Sequence, residues 1–353
     1  MSVLFAILLF SFLIFIHELG HFAAAKLSGV QVNEFALFMG PALWQKQIGE
    51  TLYAIRLIPI GGYCAMEGED GGSDNPRSFG STAWWKRFII LVAGAAMNFI
   101  VGVVLMIAIY LPMEQAVVPV IDSFEDFSTV NGENGLQPGD RILEVDGEKI
   151  YVQSDFSMLL SLNPGEIHDL VVLRDGEKVV LDDLRMEKHA VTNKDGSTVM
   201  LYGMNFTIEE LSLGGRISYG WNQCLDTVRT VRLSLRMLVS GRAGLSDMSG
   251  PVGIVQQMST VADASPTKLD ALLNMLYFGA FIAINLAVMN LLPSPALDGG
   301  RVVGLLLTTA VETVTGRKIN PKYEAWLHGA GMLLLLGLMA VIMFKDIFVL
   351  FRG

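Results

Sequence analysis

The sequence predicts a polytopic α-helical membrane protein with four transmembrane helices, a membrane-associated β-hairpin sheet and an inserted extracytoplasmic α+β domain. Three observations predict this class. Of the 353 residues, 52% are hydrophobic and only 17% are charged, a balance more apolar than that of soluble domains. Four apolar runs are each long enough to cross a hydrocarbon core of about 30 Å. Between the second and third runs lies a long polar segment with many short β-type stretches.

The four predicted spans cover roughly residues 2–24, 86–112, 270–292 and 328–350. The first run also resembles the apolar region of a signal peptide, with Ala23-Ala24-Ala25 as a cleavage site. However, no positively charged region precedes the run, and cleavage would remove the two histidines described below. We therefore expect the first run to be a retained span.

The charges at the ends of these spans predict their orientation. The short connections between spans one and two and between spans three and four hold most of the nearby positive charge: Lys26, Lys46, Arg56, Arg77, Lys86, Arg87, Arg301, Arg317, Lys318 and Lys322. Residues 113–130, after span two, contain no Lys or Arg. Because cytoplasmic loops are enriched in Lys and Arg, we expect both connections to be cytoplasmic. Residues 113–269 and both termini are then extracytoplasmic. The positive charges of Lys345 and Arg352, near the C-terminus, slightly disfavour this orientation.

The motif His17-Glu18-Leu19-Gly20-His21 closes the first apolar run, whose residues 2–16 carry no charge. Histidines at positions i and i+4 lie on one helical face, about 6 Å apart at Cβ, which suits two ligands of one Zn²⁺. The glutamate between them can accept a proton from a water molecule that the metal activates. Since ionisable groups are costly inside a membrane, the motif predicts a metal site within the bilayer.

A catalytic zinc usually has three protein ligands and one open position, and Asp298 is the candidate for the third. If span one enters from outside, His17 lies roughly 23 Å along the helix, towards the cytoplasmic side. Span three runs in the same direction, and its end carries the sequence Asn290-Leu291-Leu292-Pro293-Ser294-Pro295-Ala296-Leu297-Asp298-Gly299-Gly300. Asp298 therefore reaches a similar depth, and the two prolines break the helix so that the chain can turn towards the metal.

Five other ionisable residues are weaker candidates for ligands, because they lie in polar segments, at an interface or in the external domain: Glu67, Glu312, His328, His168 and His189. Asn98 and Asn290 either form interhelical hydrogen bonds or position a substrate backbone. Pro293 is grouped with them as a positioning candidate.

Neither the cysteines nor the net charge adds a further function. Cys64 and Cys224 are expected on opposite sides of the membrane, so no disulfide is predicted and both thiols are expected to be inert. The net charge of −10 argues against binding of nucleic acid.

Residues 115–205 predict a β-rich module, with β-type runs at Val117–Ile121, Arg141–Val145, His168–Arg174, Lys178–Leu184 and Val199–Phe206. Gly135-Leu136-Gln137-Pro138-Gly139-Asp140-Arg141-Ile142-Leu143-Glu144-Val145-Asp146-Gly147 resembles the G-L-x-x-G-D-x-I-x-x-V-[ND]-G segment of bacterial PDZ domains. Those domains bind peptides by adding a strand to a sheet edge, with a loop of amides that can hold a carboxylate. The resemblance implies a PDZ domain that can bind peptide C-termini. A generic β module without peptide affinity is the alternative.

These features divide the chain into four predicted regions. Residues 1–112 hold spans one and two, with a hairpin sheet on the cytoplasmic side within residues 26–83. The short strands of that sheet are predicted at Val30–Ala36, Leu43–Gln47 and Thr51–Leu57. Residues 113–206 form the PDZ domain, and residues 207–269 hold amphipathic linker helices at roughly 215–240 and 254–263. Residues 270–353 hold spans three and four.

The whole chain resembles the site-2 protease family of intramembrane zinc metalloproteases, in its bacterial RseP-like branch. The resemblance rests on H-E-L-G-H in span one, N-L-L-P-x-P-x-L-D-G-G after span three and the PDZ-like segment between spans two and three. Three further segments match the family: Phe38-Met39-Gly40-Pro41, Pro59-Ile60-Gly61-Gly62-Tyr63 and Ser249-Gly250-Pro251-Val252-Gly253.

Two features depart from the family pattern. Ala95 stands where the second span of the family often has a proline, so a local kink there is in doubt. Only about 90 residues are available for the external domain, whereas the best-known members of this branch have two tandem PDZ domains. We therefore expect one such domain and draw no inference about exclusion of large substrates.

The resemblance implies that His17, His21 and Asp298 bind Zn²⁺, that Glu18 is the catalytic acid/base and that Asn290 positions the substrate. It also implies a bacterial cell membrane location, with single-span membrane proteins such as anti-sigma factors, and leftover signal peptides, as substrates. Two alternatives stay open. One is a non-catalytic membrane scaffold that binds peptide tails through the PDZ domain, and the other is a metal transporter. The transporter is disfavoured because spans two and four offer few polar residues beyond Asn98 and His328.

Overall fold

The computed structural model describes residues 2–69, 73–132, 134–163, 165–192, 197–244, 250–316 and 321–352. The helices in these ranges are α1 Ser2–Ser28, α2 Trp84–Tyr110, α3 Ser154–Leu162, α4 Leu213–Val239, α5 Pro251–Asp263, α6 Lys268–Asn290, α7 Asp298–Thr315 and α8 Pro321–Arg352. The strands are β1 Val32–Ile48, β2 Thr51–Met66, β3 Gln115–Phe124, β4 Arg141–Val145, β5 Glu148–Lys149, β6 Ile167–Arg174, β7 Glu177–Arg185, β8 His189–Thr192, β9 Thr198–Leu201 and β10 Met204–Glu210.

The chain divides into two compact units, which are described separately. One unit comprises residues 1–105 and 227–353, and the other comprises residues 106–226.

Among the residues that the structure describes, four helical segments are long and apolar enough to cross a membrane: Leu4–Ser28, Trp84–Tyr110, Lys268–Asn290 and Trp326–Asp346. They correspond to the four runs that hydropathy predicts, so the expected number of candidate spans is confirmed. Helix α2 is continuous through Ala95, and the proline that the family often has there is absent.

Three of the candidate membrane spans pack closely because glycines lie at their crossings. A Cβ atom on Gly20 of α1 would overlap the carbonyl oxygen of Ala93 on α2. A Cβ on Gly102 of α2 would lie 2.5 Å from Cγ1 of Ile284 on α6. A Cβ on Gly279 of α6 would lie 2.9 Å from Cδ1 of Leu9 on α1. Small residues at such crossings let membrane helices approach through backbone contact.

Strands β1 and β2 form an antiparallel hairpin that is bent back on itself. Positive φ angles of 72° at Phe38, 86° at Gly40 and 72° at Gly61 mark the bends. As a result, residues 34–37 have Cα partners on both sides, in residues 52–55 and 62–65. Residues 44–48 pair with the other side of 51–55. The edges of this folded hairpin are therefore the segments 44–48 and 62–66.

The hairpin differs from its predicted form in continuity. The sequence predicts three short strands, and the break predicted at Gly49-Glu50 is present as the turn between β1 and β2. The break predicted at Gly40-Pro41 is wrong, because β1 continues through both residues, and β2 extends beyond its predicted end to Met66. Gly40 changes the direction of the strand without ending its pairing. The hairpin packs on α1 through Phe35, whose ring centroid lies 6.0 Å from that of Phe15 and 5.0 Å from that of Phe22.

Helix α5 is held at its amino end by the last membrane helix. The Asp346 carboxylate of α8 accepts hydrogen bonds from the backbone N–H groups of Gly250, at 2.8 Å, and Gly253, at 3.1 Å. A carboxylate is favourable there because unpaired N–H groups and the helix dipole converge at a helix N-terminus. Met258 of α5 is fully buried in a cluster with residues of α1 and α6.

In the unit of residues 106–226, the main sheet has the order β10-β3-β4-β6-β7, and β5 pairs with β4. The buried side chains of this unit include Ile121, Leu136, Ile142, Leu160, Leu170 and Val172. Helix α3 packs beside the edge strand β10, where the rings of Phe156 and Phe206 lie 5.6 Å apart. The predicted run Val199–Phe206 is two strands, β9 and β10, because Gly203 between them has a φ of 71°.

A buried ion pair explains the aspartate of the Gly-Leu-Gln-Pro-Gly-Asp turn. The Asp140 side chain is fully buried and accepts two hydrogen bonds from Arg174, at 2.8 and 2.7 Å. It also accepts one from the N–H of Gln137 at 2.8 Å. Arg174 in turn donates to the carbonyl of Gly135. The pair therefore fastens the turn that precedes β4 to the end of β6.

We predict that Asp140→Asn destabilises this unit by about 3 kcal/mol, because it leaves the Arg174 guanidinium without its buried charge partner. Hydrogen exchange at the amides of β4 and β6, measured by mass spectrometry on the full chain, should become faster. Glu166→Gln is the matched control. Its partner Arg185 and Glu166 itself are 66% and 63% exposed, and exposed pairs contribute roughly 0–1 kcal/mol. Equal exchange in the two variants would contradict the prediction.

Candidate metal centre

Helix α1 presents the two histidines of the His-Glu-x-x-His motif on one face. His17 Nε2 and His21 Nε2 are 3.2 Å apart, and the two rings are nearly perpendicular, at 82°. His21 is 7% exposed. The helical spacing that the sequence implies therefore places two imidazole nitrogens at one point.

A tight turn between α6 and α7 brings Asp298 to the same point. Helix α6 ends at Asn290 and α7 starts at Asp298. A Cβ on Gly299 would overlap the Leu292 carbonyl, and one on Gly300 would overlap that of Ser294. Only glycine fits at these two positions, which explains the Asp-Gly-Gly sequence.

Asp298 completes a group of three possible ligands. Its Oδ2 atom lies 3.2 Å from Nε2 of His17 and 3.4 Å from Nε2 of His21. Within the described residues, this is the one group of His, Cys, Asp and Glu side chains whose ligand atoms all lie within 4.8 Å of one another. Its three members are the residues that the sequence predicts as metal ligands.

The hydrogen bonds around the group fit a bound zinc ion. The Nδ1 atom of His21 lies 2.8 Å from the carbonyl oxygen of Ile90. Because a carbonyl can only accept, Nδ1 carries the proton and Nε2 keeps its lone pair towards Asp298. Metal-binding histidines are usually oriented in this way. The Oδ2 atom of Asp298 is buried without a hydrogen-bond donor. Two imidazoles and one carboxylate are a ligand set that catalytic zinc accepts.

Helix α2 forms the floor of the site at Gly94. A Cβ atom there would overlap Nε2 of His21 and would lie 2.8 Å from Cε1 of His17. The absence of a side chain at Gly94 thus leaves the volume that the two imidazoles occupy. The sequence analysis did not identify this residue, although it lies in the Ala-Gly-Ala-Ala-Met-Asn segment compared there with the family pattern.

The hairpin approaches Glu18 at Gly62 of β2. A Cβ on Gly62 would lie 3.3 Å from Cγ of Glu18, 3.1 Å from Ile14 and 3.1 Å from the carbonyl of Ala36. The edge segment 62–66 therefore passes directly beside the glutamate of the motif.

Two asparagines near the site differ in their contacts. Asn290 Nδ2 lies 3.5 Å from His17 Nδ1. An asparagine amide can be turned so that its oxygen faces this nitrogen, and Asn290 could then accept a hydrogen bond from the His17 Nδ1–H group. Asn98 is 1% exposed, and its Oδ1 atom has no hydrogen-bond partner. It lies on α2 one helical turn after Gly94.

The other candidate residues are not members of the ligand group, and several have different contacts. Pro293 lies in the turn between α6 and α7, and His328 Nδ1 contacts the carbonyl of Pro295 in the same turn. Glu67 accepts hydrogen bonds from Asn33 and Ser73. Cys64 and Cys224 are buried free thiols.

Comparisons with known proteins match nearly the whole chain. The profile of peptidase family M50 matches residues 5–338. A candidate zinc metalloprotease of Clostridium perfringens is 35% identical over 352 residues, which cover 98% of each chain. The regulator of sigma-W protease RasP of Bacillus subtilis is 28% identical over 425 residues, covering 97% of each chain. A zinc metalloprotease RasP of Oceanobacillus iheyensis is 29% identical over 427 residues, with 97% of each chain covered.

We predict that Gly94→Ala lowers the affinity for zinc at least tenfold, because the new methyl group would displace the His21 ring that Ile90 orients. Zinc affinity is measured in detergent by competition with a chelating indicator. Gly337→Ala, on the membrane helix α8, is the control because a Cβ there has no atom within 4 Å. Zinc affinity equal to wild type in Gly94→Ala would show that the imidazoles do not need this space.

Proposed function

The chain belongs to peptidase family M50 and is an intramembrane zinc metalloprotease, and we propose that His17, His21 and Asp298 hold its zinc while Glu18 is the catalytic acid/base. The observation that carries this proposal is the convergence of one buried carboxylate oxygen and two imidazole nitrogens within 4.8 Å. Asp298 lies more than 270 positions after the two histidines in the sequence, so local structure alone does not explain why the three side chains meet.

The chemistry follows from where each group stands. A zinc ion at this site would polarise the scissile carbonyl and make an attacking water more acidic. Glu18, between the two histidines, accepts the proton of that water and returns it to the leaving amine. The Asn98 side chain, buried one turn from Gly94, offers an amide N–H group to the oxygen of the scissile carbonyl. Asn290 orients the His17 ring, and Pro293 shapes the turn that carries Asp298.

The substrate must be held in an extended form, because an α-helix protects its own peptide bonds by internal hydrogen bonds. The folded hairpin offers a strand edge for this purpose. Residues 52–55 are unsuitable as that edge because they have partners on both sides. We therefore assign the role to the edge segment 62–66, which passes Glu18 at Gly62.

The substrates that we propose are transmembrane segments of single-span membrane proteins, including anti-sigma factors and leftover signal peptides. The name of the Bacillus subtilis relative, regulator of sigma-W protease, supports a regulatory substrate. A non-catalytic scaffold is the second possibility, but no observation favours it, since Glu18 stands between two candidate ligands.

We further propose that residues 113–206 are a PDZ domain that binds peptide C-termini. The support is an edge strand, β10, with a helix packed beside it through Phe156 and Phe206, which is the arrangement that strand addition needs. A fluorescent peptide with a free C-terminal carboxylate should bind the full chain more tightly than the same peptide with an amidated C-terminus. Equal binding would argue for a β module without this function.

The proposed location is a bacterial cell membrane, with both termini and the PDZ domain outside the cytoplasm and the site near the cytoplasmic side. The distribution of Lys and Arg around the spans supports it. In intact cells, Ile150→Cys should react with a membrane-impermeant thiol reagent added outside. Labelling only after lysis would show that residue 150 faces the cytoplasm and that the proposed topology is wrong.

We predict that Glu18→Gln abolishes cleavage of a single-span substrate in proteoliposomes while zinc affinity stays within a few-fold of wild type. The amide keeps the size of the side chain but cannot accept the water proton. Product formation is measured by gel and mass spectrometry, with a chelator-treated wild type as the negative control. Cleavage that survives in Glu18→Gln, or that is indifferent to chelator, would refute the mechanism.

A second prediction concerns the hairpin edge. Tyr63→Pro should slow cleavage at least tenfold with zinc affinity unchanged, because proline removes a donor and cannot join a ladder there. Gln45→Pro, in the opposite edge segment 44–48, is the matched control and should cleave at close to the wild-type rate. If both variants lose activity equally, the segment 62–66 has no special role in holding the substrate.

A further inference from the structure

An ion pair outside the ligand group connects the hairpin to the helix that carries Asp298. Arg301 Nη1 contacts Glu69 Oε1, and the two side chains are 23% and 17% exposed. The second oxygen of Glu69, Oε2, accepts a hydrogen bond of 3.3 Å from the N–H of Met66 at the end of β2. The Glu69 carboxylate therefore joins the end of the hairpin to α7.

Both residues of the ion pair are near residues of the proposed site in the chain. Arg301 follows Asp298 by three residues on α7, so both side chains belong to neighbouring positions on one helix surface. Glu69 follows β2, whose Gly62 lies beside Glu18. A shift of α7 relative to the hairpin would thus move Asp298 relative to the histidines and Glu18.

The local charges explain why this link needs an arginine. Glu18 and Asp298 of the proposed site are acidic, and Glu69 adds a third carboxylate at the end of the hairpin that passes Glu18. Arg301 neutralises the one that does not take part in the proposed chemistry. Without Arg301, the Glu69 carboxylate would be left partly buried, unpaired and close to two other acids, which is unfavourable.

We propose that Arg301 and Glu69 form a clamp that positions Asp298 for zinc binding, with Arg301 as a positioning residue rather than a ligand or a catalytic group. The proposal rests on the assignment of His17, His21 and Asp298 as zinc ligands. In the sequence alone, Arg301 is one of the positive charges from which the topology is predicted, and no pattern indicates a role for Glu69.

Zinc affinity of the purified full-length protein tests the clamp without reference to proteolysis. Arg301→Gln is expected to weaken zinc binding 10–100-fold, the usual effect of losing a group that orients a metal ligand. The double variant Arg301→Gln with Glu69→Gln should recover most of that loss, because it also removes the unpaired carboxylate, and the two effects are then non-additive. Arg301→Lys, which keeps the positive charge, should bind zinc within a few-fold of wild type even if Arg301→Gln folds poorly.

Glu67→Gln is the matched control, because Glu67 lies two residues from Glu69 and bonds to Asn33 and Ser73 instead of α7. Its zinc affinity should equal that of wild type. Wild-type affinity in Arg301→Gln, or a double variant no better than Arg301→Gln alone, would overturn the clamp. His21→Ala tests the underlying assignment separately: if it binds zinc as wild type does, the ligand set is wrong, and the clamp proposal fails with it.

Discussion

The candidate metal centre depends on how closely the membrane helices approach one another. Lipid provides no hydrophobic drive for helices to associate, so close van der Waals packing must hold them. Glycines at 20, 102 and 279 allow α1, α2 and α6 to pack nearly backbone to backbone. At Gly94 the same close approach leaves room for the imidazoles of His17 and His21. The contacts that hold the bundle therefore also set the distance between the ligand atoms, and stability and metal geometry cannot be separated in this part of the chain.

Much of this arrangement follows from local patterns in the sequence. Apolar runs predict the four candidate spans, and helical periodicity places His17 and His21 on one face. The β4 strand matches its predicted bounds, Arg141–Val145. Asp298 is far from the histidines in sequence, yet the bilayer relates the two: spans that run in the same direction from the same surface reach the same depth. In a soluble protein no such common reference exists, and the third candidate ligand could not have been chosen on that basis.

The features of the structure that the sequence did not predict are those that depend on contacts between segments far apart in the chain. Helix α7 was not predicted as a separate helix, although it carries Asp298. The hairpin was expected as three short strands, because the effect of a bend at Gly40 depends on whether the strand finds partners on both sides. The roles of Gly94 and Gly62 depend on what lies opposite them in space, which spacing in the chain cannot reveal. The contact between Glu69 and Arg301 likewise joins segments 232 positions apart.

The hairpin answers a physical problem that helices alone leave open. A peptide bond can be attacked only after the substrate helix unwinds, and in lipid each released N–H and C=O group without a partner costs several kcal/mol. A free strand edge supplies partners to such groups, whereas a helix surface has none to give, because its backbone is already bonded internally. In the proposed mechanism the edge must lie within a few ångströms of Glu18, since the bond to be cut would belong to the strand that the edge holds. Gly62, beside Glu18 and with no side chain to block the approach, meets that requirement. On the proposed mechanism, this is the use of a β-hairpin between the first two candidate membrane spans, packed on α1 through Phe35.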